Sequence, residues 1–142
     1  MTLAWLVQLA TTLPLAGLIW TIQLVHYPAF VLVDAPGFGA FHAAHSRRIT
    51  YLVAPLMLAE LAAAIVAVVW RDPSVATWIA WTGLGLVALA WASTGLLSVP
   101  LHERLGRGYD ERTARRLVAT NWPRTLAWTG RSIGLVWLAA RR

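Results

Sequence analysis

Apolar residues run along this chain in four long blocks joined by short polar stretches. The first block, from about Leu3 to Val25, carries no charged side chain. The second, about Ile49 to Trp70, holds a single carboxylate, Glu60, and the third runs from about Val75 to Val99. The fourth opens at Asn121-Trp122-Pro123 and continues to about Ala140 with Arg131 inside it. A bilayer core about 30 Å thick needs roughly 20 apolar residues per helix. The pattern therefore predicts an all-α fold: an integral membrane four-helix bundle, a single domain over residues 1–142, with spans at about 3–25, 49–70, 75–99 and 122–140.

The connections are read from their breakers. His26-Tyr27-Pro28 closes the first span, because the residue before proline is biased out of the helical region. Asp34-Ala35-Pro36-Gly37-Phe38-Gly39 reads as a turn-rich loop, followed by an amphipathic lead-in with Phe41, His42, His45, Arg47 and Arg48. Pro55 predicts a kink in the second span. Arg71-Asp72-Pro73-Ser74 reads as a tight turn, and Pro100-Leu101-His102 as the end of the third span. Asp110 is placed as N-cap of a short cytoplasmic amphipathic helix through Arg112, Arg115 and Arg116, lying on the membrane surface.

Composition agrees with a lipid environment: 58% of residues are hydrophobic and only 13% charged, too apolar for a soluble domain of this size. There is no cysteine, so disulfides and thiolate ligands are excluded. The net charge of +6 comes from arginine beside the apolar blocks, which points to anionic lipid and away from nucleic acid. Arg47, Arg48, Arg104, Arg107, Arg112, Arg115, Arg116 and Arg124 fall on one side, and Arg71, Arg141 and Arg142 on the other. The positive-inside rule then puts the two longer loops in the cytoplasm and both termini outside. Met1 to Trp5 lack the positive start of a secretory signal, so the first block reads as a retained helix. Trp5, Trp70, Trp78, Trp81 and Trp137 are expected in an outer aromatic belt, and Trp20 and Trp122 in the inner one.

This topology brings candidate chemistry to one end. His26, His42, His45 and His102 come from three sequence regions to one level, with Asn121 and Arg124 opening the fourth helix. Imidazole suits Zn, Cu, Fe or haem iron, so these histidines are the candidate metal ligands, with His26 and His102 the candidate ligands of haem b. Acid/base use without any cofactor, or an interfacial structural role, are the other readings.

Helical spacing gives each span one polar seam. The seams are Gln8, Thr12, Ile19, Gln23 and His26; His42, His45, Ile49, Leu52, Leu56 and Glu60; Trp91, Thr94, Ser98 and His102; and Asn121, Arg124, Trp128 and Arg131. Lipid cannot satisfy such groups, so the seams are expected to face inward around a polar pocket opening at the histidine end. Glu60 and Arg131 lie at similar depths, about 16 and 13 Å into their helices at 1.5 Å per residue, and are expected to pair. A second reading makes Glu60 a proton acceptor. It lies about 22 Å along the helix from His45, too far to share a metal with it.

The segments Val99-Pro100-Leu101-His102-Glu103-Arg104-Leu105 and Asn121-Trp122-Pro123-Arg124-Thr125, with Leu117 and the His26-Tyr27-Pro28 ending, resemble the small four-helix membrane family that includes fungal anthrone oxygenases. The likeness covers about 30 residues of the C-terminal half plus that ending. It implies a four-helix bundle and oxygen-dependent oxidation of a hydrophobic aromatic substrate, with His26, His102, Asn121 and Arg124 at the motif positions. The family more often has Asn where His102 stands, and with His42 and His45 this departure implies a branch that binds a metal or haem.

The function expected from these features is a membrane-embedded, oxygenase-like oxidoreductase acting on a lipophilic small molecule, with Asn121, Arg124 and Glu60 as catalytic candidates. A metal-ion or proton transporter, using Glu60 as relay and a homo-oligomer for its pore, is one alternative. A non-catalytic membrane subunit docked through its arginines is the other.

Overall fold

A computed structural model describes residues 3–70 and 72–141. Met1, Thr2, Arg71 of the expected turn and Arg142 of the second arginine group lie outside the described residues. Helices α1 (Leu3–Thr21), α2 (Ala35–Val69), α3 (Thr77–Ser93), α4 (Val99–Arg107), α5 (Glu111–Thr120) and α6 (Trp122–Ala139) follow in order. α1 packs on α2 and α6, and α3 packs on the same two helices, which closes a four-helix arrangement. The path of α1 continues through a π-helical turn, Ile22–His26, and a 3₁₀ turn, Pro28–Leu32. That of α3 continues through a π turn, Thr94–Ser98, straight into α4.

Three of these helical paths, Leu3–Leu32, Ala35–Val69 and Thr77–Arg107, are long and apolar enough to cross a membrane. α6 is not among them, because its Arg124, Thr125 and Arg131 dilute its apolar content. The interior is polar where the exterior is not. Gln8, Thr12, Gln23, Glu60, Asn121, Arg124, Thr125 and Arg131 are buried, while Leu24, Leu58, Ile65, Leu96 and Ile133 face outward.

Several boundaries differ from the sequence reading, each for a local reason. The expected loop at Asp34–Gly39 is helical from Ala35: Asp34 occupies the N-cap position, and Pro36 sits in the first turn, where a missing N–H costs nothing. α2 therefore carries His42 and His45 on the same continuous helix as Glu60, and it runs through Pro55 without interruption. Neither Pro28 nor Pro100 ends its helical path. In both cases the residue just before the proline reaches back five positions, Tyr27 N–H to Ile22 O and Val99 N–H to Thr94 O, so the helix widens by one residue ahead of the ring.

Each widened turn rotates the residues downstream of it, and this rotation aims Tyr27 and His102 inward. On α2 Ile49 and Leu56 pack on the core as expected, but the 3.6-residue period drifts from the simple stripe at Leu52, which is 51% exposed while Val53 packs inward. Trp5, placed in the outer belt by its position, is buried, whereas Trp70, Trp78, Trp81 and Trp137 are exposed as expected. The Asp110 cap is present: its carboxylate accepts from the Thr113 backbone N–H at 3.0 Å, and α5 buries Ala114 and Leu117 while exposing Arg112, Arg115 and Arg116.

Candidate functional site

The four histidines do meet. They form a row in the order His26, His45, His102, His42, with successive ring centroids 4.3, 5.8 and 5.3 Å apart and successive planes tilted by 32°, 28° and 31°. Phe30, fully buried, stands edge-on to all four rings, with centroid distances of 5.5, 5.3, 6.5 and 6.1 Å in the same order. Phe38 and Phe41 close the apolar side. The first widened turn supplies His26, α4 just beyond the second supplies His102, and one face of α2 supplies the i, i+3 pair His42 and His45.

A hydrogen-bonded chain crosses this row. Arg124 Nη2 donates to Tyr27 Oη at 3.3 Å, and Tyr27 Oη lies 2.9 Å from His102 Nε2. His102 Nδ1 lies 3.0 Å from His42 Nε2. A guanidinium has no acceptor, so Tyr27 Oη accepts from Arg124. The directions at the two imidazole contacts, Tyr27 to His102 and His102 to His42, depend on the tautomers of the two rings.

Behind Arg124 the chain goes on. Its Nη2 also donates to Asn121 Oδ1 in a short bond, Asn121 Nδ2 donates to Gln23 Oε1 at 2.8 Å, and Gln23 Nε2 donates to the Val118 carbonyl at 3.1 Å.

Two features leave unused capacity here. The Nε2 atoms of His26 and His45 are buried without a hydrogen-bond partner. Arg124 is buried, its Nε is likewise without a partner, and among the described residues it has no carboxylate within ion-pair distance. A buried cation without a counter-ion is costly unless something negative comes to it.

Glu60 does not belong to this cluster. Its Oε1 accepts from Thr12 Oγ1 at 2.6 Å and Arg131 Nε at 3.0 Å, and its Oε2 accepts from Trp128 Nε1 at 2.9 Å. Arg131 also donates to the Gly83 carbonyl and Gln8 Oε1, both at 2.8 Å. The expected salt bridge is there, and it ties all four long helices together.

Neither a metal ion nor a haem suits this geometry. Among the described residues no three His, Asp or Glu side chains are grouped to hold a metal ion. His42 and His102 already use ring nitrogens on each other and on Tyr27. His102, expected with His26 to ligate a haem, has both ring nitrogens engaged, Nε2 with Tyr27 and Nδ1 with His42. The sequence pattern does not single out Tyr27, the centre of the chain, since a tyrosine beside a proline reads as a helix end. Its one signal is its place between a polar seam and Pro28.

Comparisons with family models, with curated proteins and with solved structures found no match for this chain.

Proposed function

We propose that the protein is an integral membrane oxidoreductase of the oxygenase type, with α6 as a fourth span and the histidine end toward the cytoplasm. Its substrate on this reading is a lipophilic small molecule with an acidic C–H next to a carbonyl. The observation that carries the reading is the buried, unpaired Arg124 bonded to Tyr27 beside two imidazole nitrogens that have no partner. Support for the span comes from the length of α6, 18 residues or about 27 Å at 1.5 Å per residue, and from the apolar outer surface. The exposed arginines 47, 48, 104, 107, 112, 115 and 116 at the histidine end suit the anionic cytoplasmic leaflet.

The chemistry is set by the residues. Nε2 of His45 or His26 takes the acidic proton of the substrate CH₂ group. The resulting negative charge moves onto the carbonyl oxygen, where the Arg124 guanidinium and the Tyr27 hydroxyl are pre-organised donors in a water-poor site. The carbanion then passes electrons to molecular oxygen. Overall R₂CH₂ and O₂ give R₂C=O and H₂O, with no other reductant, and His102 and His42 carry protons between Tyr27 and the cluster's edge. The partial likeness to the anthrone oxygenases points to the same class of substrate. Glu60, saturated by Thr12, Trp128 and Arg131, lends no support to a cation relay.

The test is oxygen uptake by protein in nanodiscs supplied with an anthrone. The expected result is saturable uptake that falls about 10²–10³-fold in Arg124→Leu, the usual loss for one oxyanion donor. Uptake no greater than in empty nanodiscs overturns the proposal.

A further inference from the structure

At the end of the bundle away from the histidines, the helices part around a half-open cavity of about 450 Å³. That volume lies within the roughly 300–1,000 Å³ usual for small-molecule sites. Gly83 on its wall is separated from His102 by about 28 Å of helix, so nothing bound here touches the imidazoles. The cavity is therefore a second site, independent of the oxidation proposed at the histidine end.

Its walls are Trp5, Trp78, Trp137 and Leu86, and its inner end is formed by Gln8 and Arg131. Of the five N–H groups of a guanidinium, Arg131 uses the Nε one on Glu60 and Thr12, one on the Gly83 carbonyl and one on Gln8 Oε1. Two N–H groups remain on a side chain that lines the cavity. The Gln8 side chain accepts from Arg131 through its oxygen, and its amide nitrogen makes no hydrogen bond to another described residue. The acceptors beside them, Gly83 O, Gln8 Oε1 and the Glu60 carboxylate, already receive hydrogen bonds. The inner end thus offers donors to a ligand.

Charge narrows the ligand further. The cation of Arg131 is balanced by Glu60 at 3.0 Å, so this end offers N–H groups without net positive charge. A carboxylate or phosphate would lose its hydration here with no unpaired cation to receive it. A neutral carbonyl oxygen would lose far less and would satisfy the donors. The indole walls favour a flat ring over a saturated chain.

We propose that this cavity binds a neutral, planar, lipophilic carbonyl compound of the quinone type, with its ring among Trp5, Trp78 and Trp137 and its oxygen on the N–H groups of Arg131 and Gln8. Gly134 supplies a clean way to close the site, since it lines the cavity and a Cβ added there meets no atom within 4 Å. A leucine at that position grows into the cavity without displacing the helices. Gly95, at the histidine end, has the same open surroundings and serves as the matched control.

The experiment titrates the protein in phosphatidylcholine nanodiscs with a decyl-substituted benzoquinone and follows tryptophan fluorescence, with decanoate as the anionic competitor. Expected is saturable quenching that decanoate does not displace, weakened at least tenfold in Gly134→Leu and unchanged in Gly95→Leu. Trp78→Ala, which removes an exposed wall, weakens binding without disturbing the buried interior. Quenching that never saturates, that is identical in Gly134→Leu, or that decanoate abolishes at equal concentration overturns the proposal.

Discussion

Arg131 and Glu60 face each other at 3.0 Å, Nε to Oε1, with both side chains almost fully withdrawn from the surface. Their surroundings complete the pair: Thr12 and Trp128 donate to the carboxylate, and Gly83 and Gln8 accept from the guanidinium. A buried charge left without its partner typically costs about 3–5 kcal/mol, whereas replacing both partners by apolar groups is often close to neutral. Glu60→Leu and Arg131→Leu are each expected to lower unfolding stability in detergent by about that amount, and the double variant to recover most of it. Equal, additive losses in a double-mutant cycle would show that the pair is not coupled.

Tyr27 is the only direct link between Arg124 and His102 among the described residues. Tyr27→Phe keeps the ring and its contacts with Phe30 and removes both hydrogen bonds. Stability is expected to fall by only about 1 kcal/mol per lost bond. Oxygen uptake with the anthrone is expected to fall about 10²-fold or more, the lower end of what positioned proton transfer contributes. A variant that keeps full uptake would place the proton path elsewhere.

Asp110 offers a pH-dependent check at a position outside the spans. Hydrogen bonds from the Thr113 side chain and backbone hold its carboxyl below the ordinary carboxylate range. A carboxylate depressed in the folded state adds stability that is complete above its unfolded pKa, near 4, and is lost as pH falls through the lower folded value. Amide hydrogen exchange at Thr113 and Ala114 is therefore expected to stay slow at neutral pH and to quicken on acidification below about 4. Asp110→Asn keeps an acceptor but removes the titration, so its exchange should follow the intrinsic pH dependence alone.

Much of this arrangement is legible in the sequence because helices long and apolar enough to cross a membrane leave few choices. Polar residues at three- and four-residue spacing had to face inward, and Glu60, Arg131, Asn121 and Arg124 do. The convergence of four histidines is a consequence of alternating helix direction. What the sequence hid is how the prolines act. Pro28 and Pro100 read as stops because the missing N–H forbids an ordinary helical bond, yet one widened turn absorbs each defect and carries the chain on. That continuation brings His102 among the other imidazoles and within hydrogen-bond distance of Tyr27. Spacing alone permitted a common centre for metal. Nor did the spacing point to the tryptophan-walled cavity, which opens at the end away from the histidines.

Orientation can be measured directly because the chain has no cysteine of its own. Ser74 lies between α2 and α3 and Arg112 lies on α5, at opposite ends of the bundle, and both are exposed. With four spans and the arginine-rich end in the cytoplasm, a membrane-impermeant maleimide is expected to label Ser74→Cys in intact cells. It should label Arg112→Cys only after the membrane is opened. The reverse pattern would invert the topology. Labelling of both from one side would mean that the bundle does not cross the membrane between these two positions.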